Sequence, residues 1–215
     1  HFDDRILGQP SVAVERAKNE VINMGRLAYD NIEIASRAVR ENSQELVDRI
    51  YELEKEVDYY SKYLTSYLIK LNNQSLSDKQ HLLVNDLFHA VIDIERISDH
   101  AEDLTKYKIE HDIVFSQRGQ DELRQLWDKV LCCFDRAVVA RETGDEAAIR
   151  DVYRIEDEVD DLEEELRDKH IKRLSDGKCL PSNGVVFLDI LSNLERMSDH
   201  AKNVAECVQE EISSN

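Results

Sequence analysis

The sequence predicts an all-α protein made of two tandem antiparallel three-helix bundles, with six long helices in all. Glycine and proline are scarce, with 6 Gly and 2 Pro in 215 residues, so few residues interrupt the helices. Apolar residues recur at every third or fourth position along most of the chain, as amphipathic helices require. The chain also repeats its own motifs at an offset of about one hundred residues, which predicts two similar halves.

The first half is predicted to hold three helices. The first begins at Pro10-Ser11 and keeps its apolar period until Asn42-Ser43, and the second covers about residues 44–71, before the polar segment LNNQSLS. The third begins after Ser77. Ser77 and Gln80 have the form of a capping box, in which the serine side chain accepts the third backbone N–H and the glutamine side chain accepts the N–H of the serine.

The second half repeats this plan after the polar connector HDIVFSQRGQ. Its predicted helices cover about residues 120–142, 146–174 and 183–213. A turn at Gly144-Asp145 and the loop SDGKCLPSNG separate them, and Ser182 is the candidate N-cap of the last helix.

The two halves are interpreted as two domains, residues 11–108 and residues 118–213. Short loops between long helices predict antiparallel neighbours within each bundle. A period near one hundred residues is too long for a solenoid unit, so we expect each half to bury its own hydrophobic core.

Composition excludes several classes of function. The chain has 46 Asp+Glu against 28 Lys+Arg, a net charge of −18, which disfavours nucleic acid as a partner because phosphate binding needs clustered basic residues. No apolar run is long enough to insert into a membrane. Four cysteines without a C-x-x-C spacing predict a reducing, cytoplasmic setting.

The sequence has no Gly-rich phosphate loop and no nucleophile elbow, so we predict that the protein is not an enzyme.

Glu-x-x-x-Asp occurs twice in each half, and residues four apart on a helix share a face. Stepping back from Glu95 along the helix gives Val91 and Phe88, so the acidic pair continues the core-facing stripe rather than the solvated face. The other repeated pairs show the same phase, whereas a fifth pair, Glu164 and Asp168, falls outside the repeat. The eight candidate metal ligands are Glu54, Asp58, Glu95 and Asp99 in the first half and Glu156, Asp160, Glu195 and Asp199 in the second.

Burying a carboxylate costs several kcal/mol unless it is paired or binds metal. Three interpretations of the eight carboxylates therefore remain open. They bind metal, they lie at a solvated margin of the stripe, or they pair with Arg96, Arg196 or nearby lysines. Ligand sets made only of oxygen favour Fe, Mn, Mg or Ca over a thiolate zinc site. A di-iron oxidase is disfavoured because no Glu-x-x-His occurs.

His100 and His200 follow the repeated aspartates directly and are therefore turned about 100° away from them on the helix. We expect both to support the ligands or to form hydrogen bonds between helices rather than to bind metal, and we assign Asn203 the same supporting role. Asn203 replaces Asp103 and Glu206 replaces Lys106 in the repeat, which predicts a second site richer in oxygen ligands.

The motifs IERISDHAEDL and LERMSDHAKNV resemble the signature of the PhoU-like proteins, regulators of phosphate uptake, and ELEKEVD and RIEDEVD resemble its companion on the preceding helix. The resemblance covers about residues 12–212. It implies two three-helix bundles, each of which holds iron or a similar metal through its own four of the eight carboxylates named above. Iron is favoured, with Mn, Zn, Mg and Ca as alternatives.

The resemblance also implies a function. It predicts a metal-binding regulatory domain associated with phosphate transport, which acts through helix-surface contacts with a transporter or a signalling partner. The alternative is a purely structural module for helical interaction or dimerisation, with solvated carboxylates.

The opening segment FDDRILGQPSVAVERAKNEV resembles the junction that begins the soluble C-terminal domain of bacterial sodium–phosphate symporter-related membrane proteins. The first residue, His1 instead of Met, agrees with a chain cut from a longer one. We therefore expect a location in the cytoplasm at the inner face of the membrane. The expected partner is a membrane phosphate transporter, in the same chain or a separate one, and a homodimer is a further expectation.

Overall fold

The computed structural model describes residues 4–41 and 43–214, which form six long α-helices after a short 3₁₀-helix, with no strand among them. This confirms the all-α fold class. Asn42, at the predicted end of the first helix, and Phe2 and Asp3 of the opening segment lie outside the described residues. The 3₁₀-helix is Asp4–Gly8, and the α-helices are α1 Pro10–Glu41, α2 Gln44–Asn72, α3 Asp78–His111, α4 Gln117–Thr143, α5 Glu146–Ser175 and α6 Pro181–Ser213.

Side-chain caps define several helix ends. The capping box predicted at the start of α3 is confirmed: Oγ of Ser77 accepts the N–H of Gln80 at 3.2 Å, and Oε1 of Gln80 accepts the N–H of Ser77 at 2.9 Å. Gly144 ends α4 in the left-handed region at φ 69°, and Asp145 then caps α5. These caps satisfy backbone groups that a helix end would otherwise leave without partners.

The start of α6 differs from the prediction. The helix begins at Pro181, its N-cap is Leu180, and no side chain caps it, so the assignment of Ser182 as N-cap is wrong. Proline suits the first helical position because its φ is already helical and its missing N–H would have no partner there. The fourth helix also begins earlier than predicted, because Ser116 caps α4 by accepting the N–H of Gly119 at 3.2 Å.

The helices pack in two groups of three, with α1, α2 and α3 in mutual contact and α4, α5 and α6 in mutual contact. The two groups meet along α3 and α6 and along α1 and α4. At Gly25, α1 comes so close to α4 that an added Cβ would lie 3.1 Å from Cγ2 of Val138. Glycine therefore permits the close approach of these two helices.

The hydrophobic core is one continuous cluster that includes residues of all six helices. The expectation that each half buries its own core is therefore wrong in this respect, because the apolar faces of α1 and α3 extend into the contacts with α4 and α6. The largest fully buried side chains come from both halves, among them Met24, Ile32, Leu64, Trp127, Phe134 and Phe187. No helix among the described residues has the length and apolarity needed to cross a membrane.

Candidate metal centre

The first carboxylate cluster consists of Glu54 and Asp58 of α2 and Asp99 of α3. Glu54 and Asp58 are one helical turn apart, and their neighbours Leu53 and Val57 are buried, so the two acids stand at the edge of the core and face α3. One carboxylate oxygen from each of the three residues lies within 4.8 Å of the others.

The second carboxylate cluster consists of Glu156 and Asp160 of α5 and Asp199 of α6, which are the equivalent residues of the repeat. One oxygen from each again lies within 4.8 Å of the others. Glu156 is 3% exposed, and Oδ1 of Asp160 is buried without a hydrogen-bond partner. The repeat thus places the same three acids together in both halves.

Both clusters fit a hard cation. Carboxylate oxygens bind such ions at about 2.0–2.6 Å, so oxygens within 4.8 Å of one another can share one ion with small side-chain adjustments. The buried Oδ1 of Asp160 has no hydrogen-bond partner, and a bound cation would supply the missing interaction. All the ligands are oxygen, which suits Fe, Mn, Mg or Ca better than a metal that prefers sulfur.

Glu95 and Glu195 lie beside the three-acid clusters. Oε2 of Glu95 accepts a hydrogen bond from Oγ of Ser61 at 2.5 Å, and its charge acts on Asp99. Glu195 interacts with Asp199 and Asp160. Of the eight predicted ligands, six therefore form the two clusters, and these two glutamates flank them.

Two charged residues that sequence reasoning missed also reach the clusters. Glu102 of α3 contacts the carboxyl of Glu54 and adds a further acid to the first half. Lys202, its equivalent on α6, lies with Nζ 3.1 Å from Oε2 of Glu156. The opposite signs at positions 102 and 202 are visible when the repeat is aligned, but only the packing shows that both side chains point into the clusters.

The second cluster has a lysine where the first has an additional acid, so the prediction that the second site is richer in oxygen ligands is wrong. Glu206 is exposed, and Lys202 takes the position that faces the acids. The pairing of a candidate ligand with a nearby lysine, one of the three open interpretations, is seen for Glu156. Arg96 and Arg196 are exposed.

Four carboxyls in or beside the two clusters have raised pKa values near 6 or 7 and therefore hold protons more strongly than ordinary acids. Burial raises the pKa of Glu54 to about 7, and the charge and hydrogen bond of Glu102 add to this. Burial and the charge of Glu95 raise the pKa of Asp99 to about 6. In the second half, burial and neighbouring carboxylates raise the pKa of Glu195 to about 7 and that of Asp160 to about 6. Acids crowded in this way favour a bound proton or a bound cation.

His100, His200 and Asn203 lie where α3 crosses α6. The two imidazole rings stack on each other with centroids 5.7 Å apart. Nδ1 of His100 lies 2.9 Å from Oδ1 of Asn193, and Nδ1 of His200 donates to Oδ1 of Asp93 at 3.0 Å. Asn203 donates to the same oxygen of Asp93 at 3.2 Å. These residues thus form hydrogen bonds between the two halves, which is one of the two roles predicted for the histidines.

Comparison with known proteins agrees with this architecture. The family model described as PhoU domain matches residues 21–107 and 123–208. The chain belongs to the PhoU family. Its two matched segments correspond to the two groups of three helices, so one PhoU domain covers each half.

Other PhoU-family proteins are similar over nearly the whole chain. A protein from Synechocystis described as a phosphate-specific transport system accessory protein PhoU homolog is 27% identical over 91% of this chain and 88% of its own length. A Clostridium acetobutylicum protein of the same description is 23% identical over 90% of this chain and 89% of its own length.

Solved PhoU structures share the fold. The crystal structure of PhoU from Pseudomonas aeruginosa matches with a TM-score of 0.90 at 21% identity, over 96% of this chain and all of that one. The regulatory protein PhoU from Streptococcus pneumoniae matches with a TM-score of 0.85 at 17% identity, over 96% of this chain and 98% of that one. None of the PhoU proteins named here is described as a sodium–phosphate symporter, so the predicted attachment to such a protein stays a prediction.

Proposed function

We propose that this protein is an accessory regulator of phosphate transport that binds metal cations at its two carboxylate clusters. The proposed role in phosphate transport is supported by membership of the PhoU family and by the descriptions of its relatives. The observation that carries the metal proposal is the repetition of the same three-acid cluster in both halves, with oxygens within 4.8 Å of one another.

The chemistry of the clusters supports the proposal. Three carboxylates at the edge of an apolar core repel one another, and this repulsion is relieved when a cation binds between them. Glu54, Asp58 and Asp99 would hold the ion in the first half, and Glu156, Asp160 and Asp199 would hold it in the second. Iron is the first candidate, with Mn, Zn, Mg and Ca to be compared.

The proposed partner is a phosphate transporter or its signalling component at the cytoplasmic face of the membrane. The partner would be recognised through the outer surfaces of the long helices, because the inner surfaces are buried in the shared core. The same surfaces could serve a homodimer. Sedimentation of the purified protein would measure that second mode of assembly.

Elemental analysis tests the metal proposal. We expect the protein purified without chelator to contain metal, and the protein reloaded with saturating Fe or Mn to contain it in both halves. Changing Asp58→Asn with Asp99→Asn should remove the metal of the first half, and Asp160→Asn with Asp199→Asn that of the second. At saturation, each double variant should lose about half of the total.

The fifth Glu-x-x-x-Asp pair offers a matched control, because Glu164 and Asp168 have the same spacing but are exposed on α5. Glu164→Gln with Asp168→Asn should leave the metal content unchanged. Metal absent from the wild-type protein after reloading would contradict the proposal. If the cluster variants then unfold at a higher temperature than wild type, the carboxylates belong to a purely structural module.

A further inference from the structure

We propose that Lys202 is a built-in cation of the second carboxylate cluster, so that the two halves bind metal unequally and the second half binds it only when Lys202 withdraws. This inference rests on the proposed function, since it concerns how the same two clusters share metal. It makes the first cluster the tighter site.

The two halves carry oppositely charged residues at the same two positions of the repeat, with the charges exchanged. In the first half, Glu102 of α3 pairs with Lys106 one turn later, at 2.7 Å. In the second half the equivalent residues are Lys202 and Glu206. The residue that faces the cluster is therefore an acid in the first half and a lysine in the second, although the pair has the same net charge in both.

Glu102 and its equivalent Lys202 make different contacts with the acids of their clusters. Glu102, whose side chain is 15% exposed, adds its carboxyl to that of Glu54. Lys202 instead reaches back to α5 and donates from Nζ to Oε2 of Glu156 at 3.1 Å. The first cluster thus gains a possible oxygen ligand, which itself pairs with Lys106, whereas in the second cluster one of the three defining acids already has a cationic partner.

The burial of this ion pair is uneven. The side chain of Glu156 is 4% exposed, so its carboxylate depends on a partner inside the protein, whereas that of Lys202 is 34% exposed. A lysine has a flexible stem and a strongly hydrated ammonium group, so it can leave towards the solvent. Glu206 is exposed one turn along α6 and would receive the ammonium group after it leaves.

Metal binding in the second half therefore replaces one charge-assisted hydrogen bond, a step that the first half does not require. Such hydrogen bonds contribute enough to change an equilibrium by at least about tenfold. We expect the first cluster to fill at a low metal concentration and the second at a concentration at least about tenfold higher.

The experiment is a titration of the metal-free full chain with Mn²⁺, in which electron paramagnetic resonance measures the free ion. The Asp58→Asn/Asp99→Asn and Asp160→Asn/Asp199→Asn variants assign each class of site to one half. Wild type should show a tight class in the first half and a weak class in the second. The exchange Lys202→Glu/Glu206→Lys should tighten the second class by at least about tenfold and leave the first unchanged.

The reciprocal exchange Glu102→Lys/Lys106→Glu is the matched variant, since it also leaves the net charge unchanged. It should weaken the first class by at least about tenfold and spare the second. If an exchanged protein does not fold, as judged by circular dichroism, Lys202→Gln tests the same contact and should tighten the second class.

Equal affinities in the two halves of the wild-type protein, or a second class that does not respond to any change at Lys202, would overturn this inference and leave metal binding intact. If wild type binds no Mn²⁺ at either cluster, the proposed function fails and the inference fails with it. The two failures are thus distinguishable in one titration.

Discussion

Asp86 shows how a single buried carboxyl outside both clusters affects the protein. It lies on α3 with 3% exposure and faces Glu211 of α6, which Arg141 of α4 holds by two hydrogen bonds of 2.6 Å. Oδ2 of Asp86 is buried without a hydrogen-bond partner. Burial raises the pKa of Asp86 to about 7, and the neighbouring carboxyl of Glu211 raises it further, because a second negative charge is unfavourable there.

This residue leads to a stability prediction with a defined pH range. Asp86→Asn should raise the free energy of unfolding by about 1 kcal/mol at about pH 8, where the folded protein must otherwise keep a buried charge. The difference should shrink towards about pH 4, where Asp86 carries a proton in both the folded and the unfolded chain. Urea unfolding at both pH values measures the difference.

The control for this prediction is Asp128→Asn, since Asp128 is exposed on α4. We expect no change in stability from this control at either pH. A lower stability of Asp86→Asn at about pH 8 would show that its ionised carboxylate is instead part of a favourable network with Arg141.

The acids of the clusters were predictable from the sequence, whereas their neighbours were not. Glu54 and Glu156 repeat at matching positions on an apolar stripe, and helical periodicity alone then places them near the core. The contact of Lys202 with Glu156 joins two helices and depends on their separation and rotation, which periodicity does not contain. The stacking of His100 on His200 has the same origin in helix packing.

The starts of α3 and α6 show which helix boundaries the local sequence can predict and which it cannot. Ser77 and Gln80 form the predicted capping box because both partners are within one turn of the chain. Ser182 does not cap α6, although the segment before this helix offers both a serine and a proline as start signals. Pro181 determines the start, since its ring fixes the backbone angle and needs no side-chain hydrogen bond.

Substitutions of the two serines test this distinction. Ser77→Ala should lower the free energy of unfolding by about 1 kcal/mol, because it leaves a backbone N–H at the start of α3 without its side-chain partner. Ser182→Ala, which removes no cap, should change stability much less. Thermal unfolding of both variants beside wild type provides the measurement, and equal losses would contradict the assigned helix starts.

For the whole molecule, the raised pKa values of the buried carboxyls all make stability depend on pH in the same direction. Glu54, Asp86 and Glu195 each have a pKa of about 7 and Asp99 and Asp160 one of about 6 in the folded state, well above the values of unfolded acids near 4. Between these limits the folded chain binds more protons than the unfolded chain. Stability therefore falls as the pH rises through this range.

We expect the unfolding temperature of the metal-free protein to be lower at about pH 8 than at about pH 5. Saturating Mn²⁺ should reduce this difference, since a cation stabilises the ionised carboxylates and binds more weakly to protonated ones. Differential scanning calorimetry with and without the ion measures both effects. The opposite slope in the metal-free protein would mean that the clusters are solvated and only weakly coupled.

The reciprocal contacts of α3 and α6 relate the two halves by an approximate twofold axis, with His100 reaching residue 193 while His200 reaches residue 93. Such an arrangement has the geometry of an isologous interface between two identical subunits, here formed within one chain. A polypeptide with only one of these halves would expose the faces of α1 and α3 that are buried here. It would have to pair with a copy of itself, each histidine stacking on its own symmetry mate.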